Sequence, residues 1–255
     1  MTPLDPSFLH LPLAHRGLHD GPLRPENSAA AFRAAIDHGY GIELDVQLSA
    51  DNRAVVFHDD TLDRLTASTG PTAAVDAARL GTLPISGGDQ KIPTLRETLE
   101  LVAGQVPLLI EIKDQDHHLG PNIGPLERAV ANDLKTYTGP VAVMSFNPAS
   151  SLAMAQLAPE IPRGLTTCAF APTDWPDVPE SRLADLAALD LNPALGACFI
   201  SHDRADLHNE RVAELRAQGL AILCWTIRSQ AQEDAARRLA HNITFEGYLA
   251  SIPLS

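Results

Sequence analysis

Short apolar runs alternate with longer, helix-patterned stretches almost from end to end of the chain, and this rhythm restricts the fold more than any other feature. The runs fall at residues 11–15, 40–46, 106–113, 141–146, 163–168, 197–202, 220–227 and 243–249. Runs apolar on both faces suit a parallel sheet covered by helices. Eight of them with helices between fit a closed (β/α)8 TIM barrel, one α/β domain over residues 1–255, better than an open sheet. The helices carry their own punctuation. Asn27 and Ser28 can cap a helix whose apolar positions Phe32, Ala35 and Ile36 share a face and which Gly39 can end; residues 209–218, closed by Gly219, repeat the pattern.

One stretch breaks the alternation. After Val46, the sequence Ser49-Ala50-Asp51-Asn52 has turn chemistry, and residues 53–57 return as a second extended run. No crossover helix fits in that interval, so the spacing predicts a hairpin leading into a small insertion after the second strand. The insertion, approximately residues 59–92, is rich in Gly, Pro, Thr and Ala and is expected as an excursion near the barrel mouth.

Charge and composition narrow the partners. The formal net charge is −13 and Lys and Arg are dispersed, which disfavours nucleic acid and means that an anionic substrate needs a local cationic site. No apolar run reaches the roughly 18 residues of a spanning helix, and residues 1–12 lack a basic segment followed by a hydrophobic one, so the reading is cytoplasmic, without stable membrane insertion. Cys168, Cys198 and Cys224 are odd in number and far apart, against a disulfide framework or a cysteine zinc site.

Two polar pairs interrupt the apolar runs. Glu43 and Asp45 stand two apart, so both side chains leave the same face of one strand. Burying two carboxylates side by side is costly unless protons or a cation neutralise them, and a metal ion is the natural resolution. The same spacing recurs in Glu111 and Lys113. If these runs are the second and third barrel strands, they are neighbours about 4.8 Å apart, and three carboxylates converge at one opening. An all-oxygen set favours one hard divalent cation, Mg2+ or Ca2+. Lys113 can meet a phosphate oxygen or pair with Glu111. His15, followed by Arg16 and Gly17, closes the first run; His58, followed by Asp59, closes the returning hairpin strand. Either histidine alone fits a hydrogen-bonded structural role; two flanking a metal site fit phosphodiester cleavage, which needs a base for the nucleophile and an acid for the leaving oxygen.

The phrases His15-Arg16-Gly17, Pro25-Glu26-Asn27-Ser28, Glu43-Leu44-Asp45-Val46, Phe57-His58-Asp59, Glu111-Ile112-Lys113, Ser145-Phe146 and Trp225-Thr226 resemble, in order and spacing, the glycerophosphodiester phosphodiesterases. The resemblance implies metal-dependent hydrolysis of a small glycerophosphodiester to glycerol 3-phosphate and an alcohol. It matches His15 and His58 with the acid and base, Glu43, Asp45 and Glu111 with the metal ligands, and Arg16 and Lys113 with phosphate contacts. It matches Trp225 with an aromatic that packs on substrate, where the alternative is an ordinary core or rim tryptophan. Two departures stand at the C-terminal end. Arg228 follows Ile227 where the family usually has Asn, and an Asp-Gly phrase ending in Thr-Asp becomes Glu246-Gly247-Tyr248-Leu249-Ala250-Ser251.

Three other readings stay open on sequence. They are a lysolipid or sphingolipid phosphodiesterase, a hydrolase using His15 and His58 as zinc or manganese ligands, and a barrel that only binds a phosphorylated ligand. His117-His118 reads as a surface pair, with a lid over the site as the alternative, and Asp203 beside His202 reads as a helix-entry residue.

Overall fold

Each of the eight apolar runs becomes a strand in the computed structural model, which describes residues 2–253; most are trimmed at one or both ends, while those expected at 40–46 and 197–202 run one or two residues further than expected. The parallel strands are β1 (Leu13–Ala14), β2 (Gly41–Leu48), β4 (Leu108–Ile112), β5 (Val141–Met144), β6 (Gly164–Thr167), β7 (Phe199–Asp203), β8 (Ala221–Ile227) and β9 (Asn242–Phe245). They lie in the order β5-β4-β2-β1-β9-β8-β7-β6. The two ends of this path meet through a parallel bridge between Val143 and Arg163, which leaves a nearly closed barrel. The expected hairpin is present as well: β3 (Ala54–Val56) pairs antiparallel with β2, Val46 opposite Val56.

Helices α2 (Ala29–Asp37), α4 (Leu95–Val102), α5 (Pro125–Leu134), α6 (Pro148–Leu157), α7 (Glu180–Ala187), α8 (Glu210–Ala217) and α9 (Gln230–Ala236) connect the strands. Their starts follow local chemistry. The Ser28 hydroxyl accepts from the Ala31 N–H at the head of α2, Thr94 and Glu97 form a reciprocal capping box on α4, and Asn209 caps α8. Of the two residues expected to cap α2, only Ser28 does so; Asn27 turns to the site described below.

The two-residue period of the strands sorts the core into layers. On β2, Ile42, Leu44 and Val46 join the large cluster between sheet and helices, as do Leu108, Ile110 and Ile112 on β4. Glu43, Asp45 and Glu111 therefore take the opposite, interior face. Lower in the interior a second cluster collects Leu13, Leu109, Ala142, Phe199 and Leu223. Gly41 and Gly164 leave room for it, since a Cβ on Gly41 would stand 2.6 Å from Leu13 Cδ2 and one on Gly164 2.6 Å from the Phe199 ring. Residues 59–92 include the short helix α3 (Ala77–Leu80), and the stretch from Val55 to Ile92 packs an apolar cluster of its own around Phe57, Leu62 and Ile85.

The amino-terminal end of the barrel is closed by an element with no counterpart in the sequence reading. Helix α1 (Ser7–His10) drives Phe8, fully buried, into the interior cluster. Asn242, at the start of β9, fastens it by donating to the carbonyls of Phe8 and Leu11 at 2.8 and 2.7 Å. At the other end β9 stops at Phe245, short of the run predicted to residue 249, and the next residue, Glu246, directs its side chain to His15.

A void left by Phe8 has rigid walls on every side. Phe8→Ala is expected to cost about 3–5 kcal/mol, whereas Leu23→Ala, at a side chain 83% exposed, should change stability by less than about 0.5 kcal/mol. Urea denaturation of the two variants compares them; equal midpoints would show that α1 does not seal the barrel.

Candidate active site

The interior carboxylates converge as the strand register requires. Asp45 of β2 pairs with Glu111 of β4, Glu43 stands two residues before Asp45, and oxygens of all three lie within 4.8 Å of one another. All three are buried. Burial, reinforced by the charges of Asp45 and Glu111, raises the Glu43 carboxyl well above the usual carboxylate range. Burial would raise Asp45 too, but Lys113, His58 and Arg16 outweigh it and hold this carboxyl well below its ordinary value. The Lys113 ammonium stands 2.8 Å from Asp45 Oδ1 and 2.7 Å from Glu111 Oε1. Its burial disfavours the charge, yet those two carboxylates push its pKa upward. Lys113 is thus paired inside the cluster in this structure, the arrangement the sequence left open beside a phosphate contact.

Both histidines stand at the rim of this cluster with Nδ1 held by a carboxylate. His15 follows β1, and its Nδ1 is hydrogen-bonded to Glu246 Oε2 while its Nε2 lies 4.0 Å from Glu43 Oε2. Burial holds this imidazole below its ordinary pKa against the opposing pull of Glu246. His58 Nδ1 stands 2.6 Å from Asp59 Oδ1. Each carboxylate is backed by an arginine: Arg228 Nε donates to Glu246 at 2.7 Å, and Arg64 donates to both oxygens of Asp59 at 2.6 and 2.9 Å.

Arg16 and Asn27 tie the approach loops to the carboxylate cluster. Arg16 adopts a left-handed φ of 53°, and its backbone N–H donates to Glu43 at 2.9 Å. Its guanidinium reaches Glu26 at 2.8 Å and lies 3.3 Å from Asp45. Gly17 continues the tight turn at φ 77°, where a Cβ would strike Ala31 and Phe32 at 2.9 Å. Asn27, also left-handed at 54°, donates to Asp45 Oδ2 at 2.9 Å and accepts from its backbone N–H at 3.3 Å. That role has a sequence signal, an Asn in a phrase shared with the family, but its cap-like position before a helix masked it.

A cavity of about 480 Å3 opens beside the cluster, lined by His58, Glu111, Lys113, Phe146 and Trp175 among others. Phe146 is the hub of an aromatic group, with its ring 5.1 Å from Trp175 and 5.6 Å from Trp225, both edge-on. Trp225 packs behind Phe146 and donates from Nε1 to the Ser201 carbonyl at 2.9 Å. Trp175, in the loop after β6, reaches the cavity without having been singled out from sequence; the signal available was one of only two tryptophans, in a βα loop at the active end of a barrel. His117 also lines the cavity, 3.4 Å from Asp60, and His118 contacts the Asp177 carbonyl at 2.6 Å. The pair is exposed, as expected of a surface pair, and its loop also meets the segments that carry Asp60 and Asp177 beside the mouth. His202 is buried between Thr167 and Asp206, and Asp203 caps the following turn through the Ala205 N–H, the helix-entry role expected of it. The cysteines are free; burial pushes the Cys168 thiol up to about 11 and the Cys224 thiol up to about 12.

Comparison with known proteins fits this geometry. Residues 15–243 match the model of the glycerophosphoryl diester phosphodiesterase family. A glycerophosphodiester phosphodiesterase of Caldanaerobacter subterraneus subsp. tengcongensis is 37% identical over 166 residues, 61% of this chain, which spans 65% of that relative's length. One of Bacillus altitudinis is 30% identical over 86% of both chains. A phosphodiesterase of Oleispira antarctica, solved in complex with the product sn-glycerol-3-phosphate, superposes over 94% of both chains with a TM-score of 0.72 and 26% identity. With the family model covering all but the two ends, and with the barrel shared, the chain belongs to the glycerophosphodiester phosphodiesterase family of enzymes.

Proposed function

We propose that this protein hydrolyses small glycerophosphodiesters to glycerol 3-phosphate and an alcohol, with Glu43, Asp45 and Glu111 holding one divalent cation, Mg2+ or Ca2+. The observation that carries the reading is the buried three-carboxylate cluster flanked by two imidazoles, each held through Nδ1 by its own carboxylate. The donor set fits the ion: all ligand atoms are oxygens, buried and mutually repelling, and one of the three carboxyls is driven toward protonation when no cation shares the site. When bound, the ion supplies charge stabilisation for the phosphoryl oxygens and neutralises the cluster.

The chain's own residues do the rest. One histidine removes the proton from the glycerol hydroxyl next to the phosphoester, whose oxygen forms a new bond to phosphorus. The bond from phosphorus to the alcohol oxygen breaks, and that oxygen takes a proton from the other histidine. The five-membered cyclic phosphate is then opened by water with the two roles reversed. Lys113 and Arg16 stabilise the phosphoryl charge, and Trp225 supports the substrate through the aromatic wall it forms with Phe146. Residues 59–92 serve in this reading as an insertion bordering the mouth, not as a second domain. No side-chain hydroxyl or thiol among the described residues is hydrogen-bonded to His15 or His58, so a protein nucleophile has no support.

Chelation is expected to abolish turnover, and Glu43→Gln or Asp45→Asn to weaken cation binding measured by calorimetry without substrate. Full activity in excess chelator would sink the metal assignment. His15→Ala and His58→Ala should each lower kcat by a factor of about 10² to 10⁴ while cation affinity stays within a few-fold. Loss of the ion from either variant would make that histidine a ligand instead. A substrate whose adjacent hydroxyl is replaced by hydrogen should bind but turn over far more slowly; hydrolysis at the parent rate would replace internal attack by direct attack of water.

A further inference from the structure

Arg228 and Glu246, the departures from the family pattern at the C-terminal end, touch each other, and Glu246 reaches His15. Three adjacent strand ends bring them into line. His15 follows β1, Glu246 follows β9 and Arg228 follows β8, and these strands are neighbours in the sheet. Backbone bonds lock the ends together: the His15 N–H donates to the Phe245 carbonyl and the Glu246 N–H to the Ile227 carbonyl, each at 2.9 Å. Glu246 then spends its two oxygens in different directions. Oε1 accepts from Arg228 Nε at 2.7 Å, and Oε2 accepts from His15 Nδ1, with His19 Nε2 3.7 Å away.

We propose that Glu246, itself held by Arg228, is a positioning residue that fixes His15 in the tautomer protonated at Nδ1 and so leaves Nε2 as the free proton acceptor facing the carboxylate cluster. The proposal rests on the reading of His15 as a proton-transfer group. A glutamate alone would be a loose tether, because its side chain has three rotatable bonds. Anchoring both oxygens, one on a guanidinium and one on an imidazole, removes that freedom, and both bonds are charge-assisted. Arg228 is 54% exposed and its ion pair contributes little to stability, so its value lies in orientation. His58, Asp59 and Arg64 repeat the same order of imidazole, carboxylate and guanidinium on the opposite histidine. An aspartate is one methylene shorter than Glu246. The longer side chain and the arginine are therefore read as one compensated change, not two independent losses of the family pattern.

The arrangement makes an unusual demand on Glu246→Gln. The amide keeps the shape of the side chain but has one donor end and one acceptor end. Arg228 can only donate, so it takes the amide oxygen and turns the NH2 toward His15. Nδ1 must then accept, and the ring proton moves to Nε2, the wrong tautomer. Glu246→Gln is expected to lower kcat at least about tenfold, with KM within about threefold and cation affinity unchanged. ¹⁵N spectra of His15, assigned by their loss in His15→Ala, should show the proton on Nε2 in place of Nδ1. Adding Arg228→Met frees the amide to rotate its oxygen back to His15, so the double variant should regain activity over Glu246→Gln alone. A general structural role predicts the reverse, a double variant worse than either single one. Wild-type kcat in Glu246→Gln, or an unchanged ring-nitrogen spectrum, would overturn the proposal. Undiminished turnover in His15→Ala would instead remove His15 from proton transfer and the catalytic value of the tether with it; the spectrum separately reads whether Glu246 sets the tautomer.

Discussion

Three carboxylates on two neighbouring strands repel one another, and much of the active end of this molecule is arranged around that repulsion. The register that pairs Asp45 with Glu111 leaves them no room to separate, since both project from the same side of adjacent strands spaced about 4.8 Å apart. Relief comes from whatever the neighbouring elements bring. Lys113, two residues past Glu111, bridges Asp45 and Glu111; Arg16 lies against Asp45; Asn27 donates to it; the Arg16 backbone donates to Glu43. Removing any one donor would leave a buried oxygen underpaired, which costs more than the bond itself contributes. The left-handed backbone at Arg16 and Asn27 belongs to the same account, because both donors reach the cluster only from turns that an L residue adopts at some cost.

The barrel converts strand order into chemistry. Neighbouring strands end at nearly the same height, so the residues just past β1, β9 and β8 become a row, His15, Glu246 and Arg228, although 231 positions separate the first two in sequence. The other histidine is organised locally: His58 and Asp59 are consecutive and Arg64 is five residues beyond Asp59. The surroundings of one histidine thus depend on the nearly complete ring and those of the other on a single hairpin. Glu26 connects them, since it accepts from Arg16 on the first side and from Arg64 on the second.

How much was legible in sequence follows from this division. Period-two spacing in β2 and β4 was enough to send Glu43, Asp45 and Glu111 inward, because side-chain alternation is a property of one strand and needs no partner. Helix starts at Ser28 and Asn209 were legible for the same reason, their chemistry being confined to one turn. Glu246 and Arg228 registered only as departures, because their meaning appears when β9 closes beside β1, a fact about the ring and not about either segment. Asn27 was read as a cap since its neighbour caps; its turn toward Asp45 depends on a left-handed φ that residue type permits but does not require. Helix α1 escaped notice because four residues carry too little periodicity, and what stabilises it is the cavity that Phe8 fills.

The charges around the site have a further consequence for the proposed reaction. A protein of net charge −13 repels a phosphodiester at long range, so attraction must be built locally. Yet the cations nearest the cluster, Lys113, Arg16 and Arg64, are already committed to Asp45 and Glu111, to Glu26 and Asp45, and to Glu26 and Asp59. Substrate phosphate therefore meets a site whose positive side chains are spent on its own carboxylates. A divalent cation taken up by Glu43, Asp45 and Glu111 would change that balance twice, first by its own charge and then by weakening the hold of two carboxylates on Lys113. Lys113, which pairs with Asp45 and Glu111, would be released toward the phosphoryl oxygens if an ion took over those two carboxylates, so that the ion-pair and phosphate-contact readings would become two parts of one proposed role.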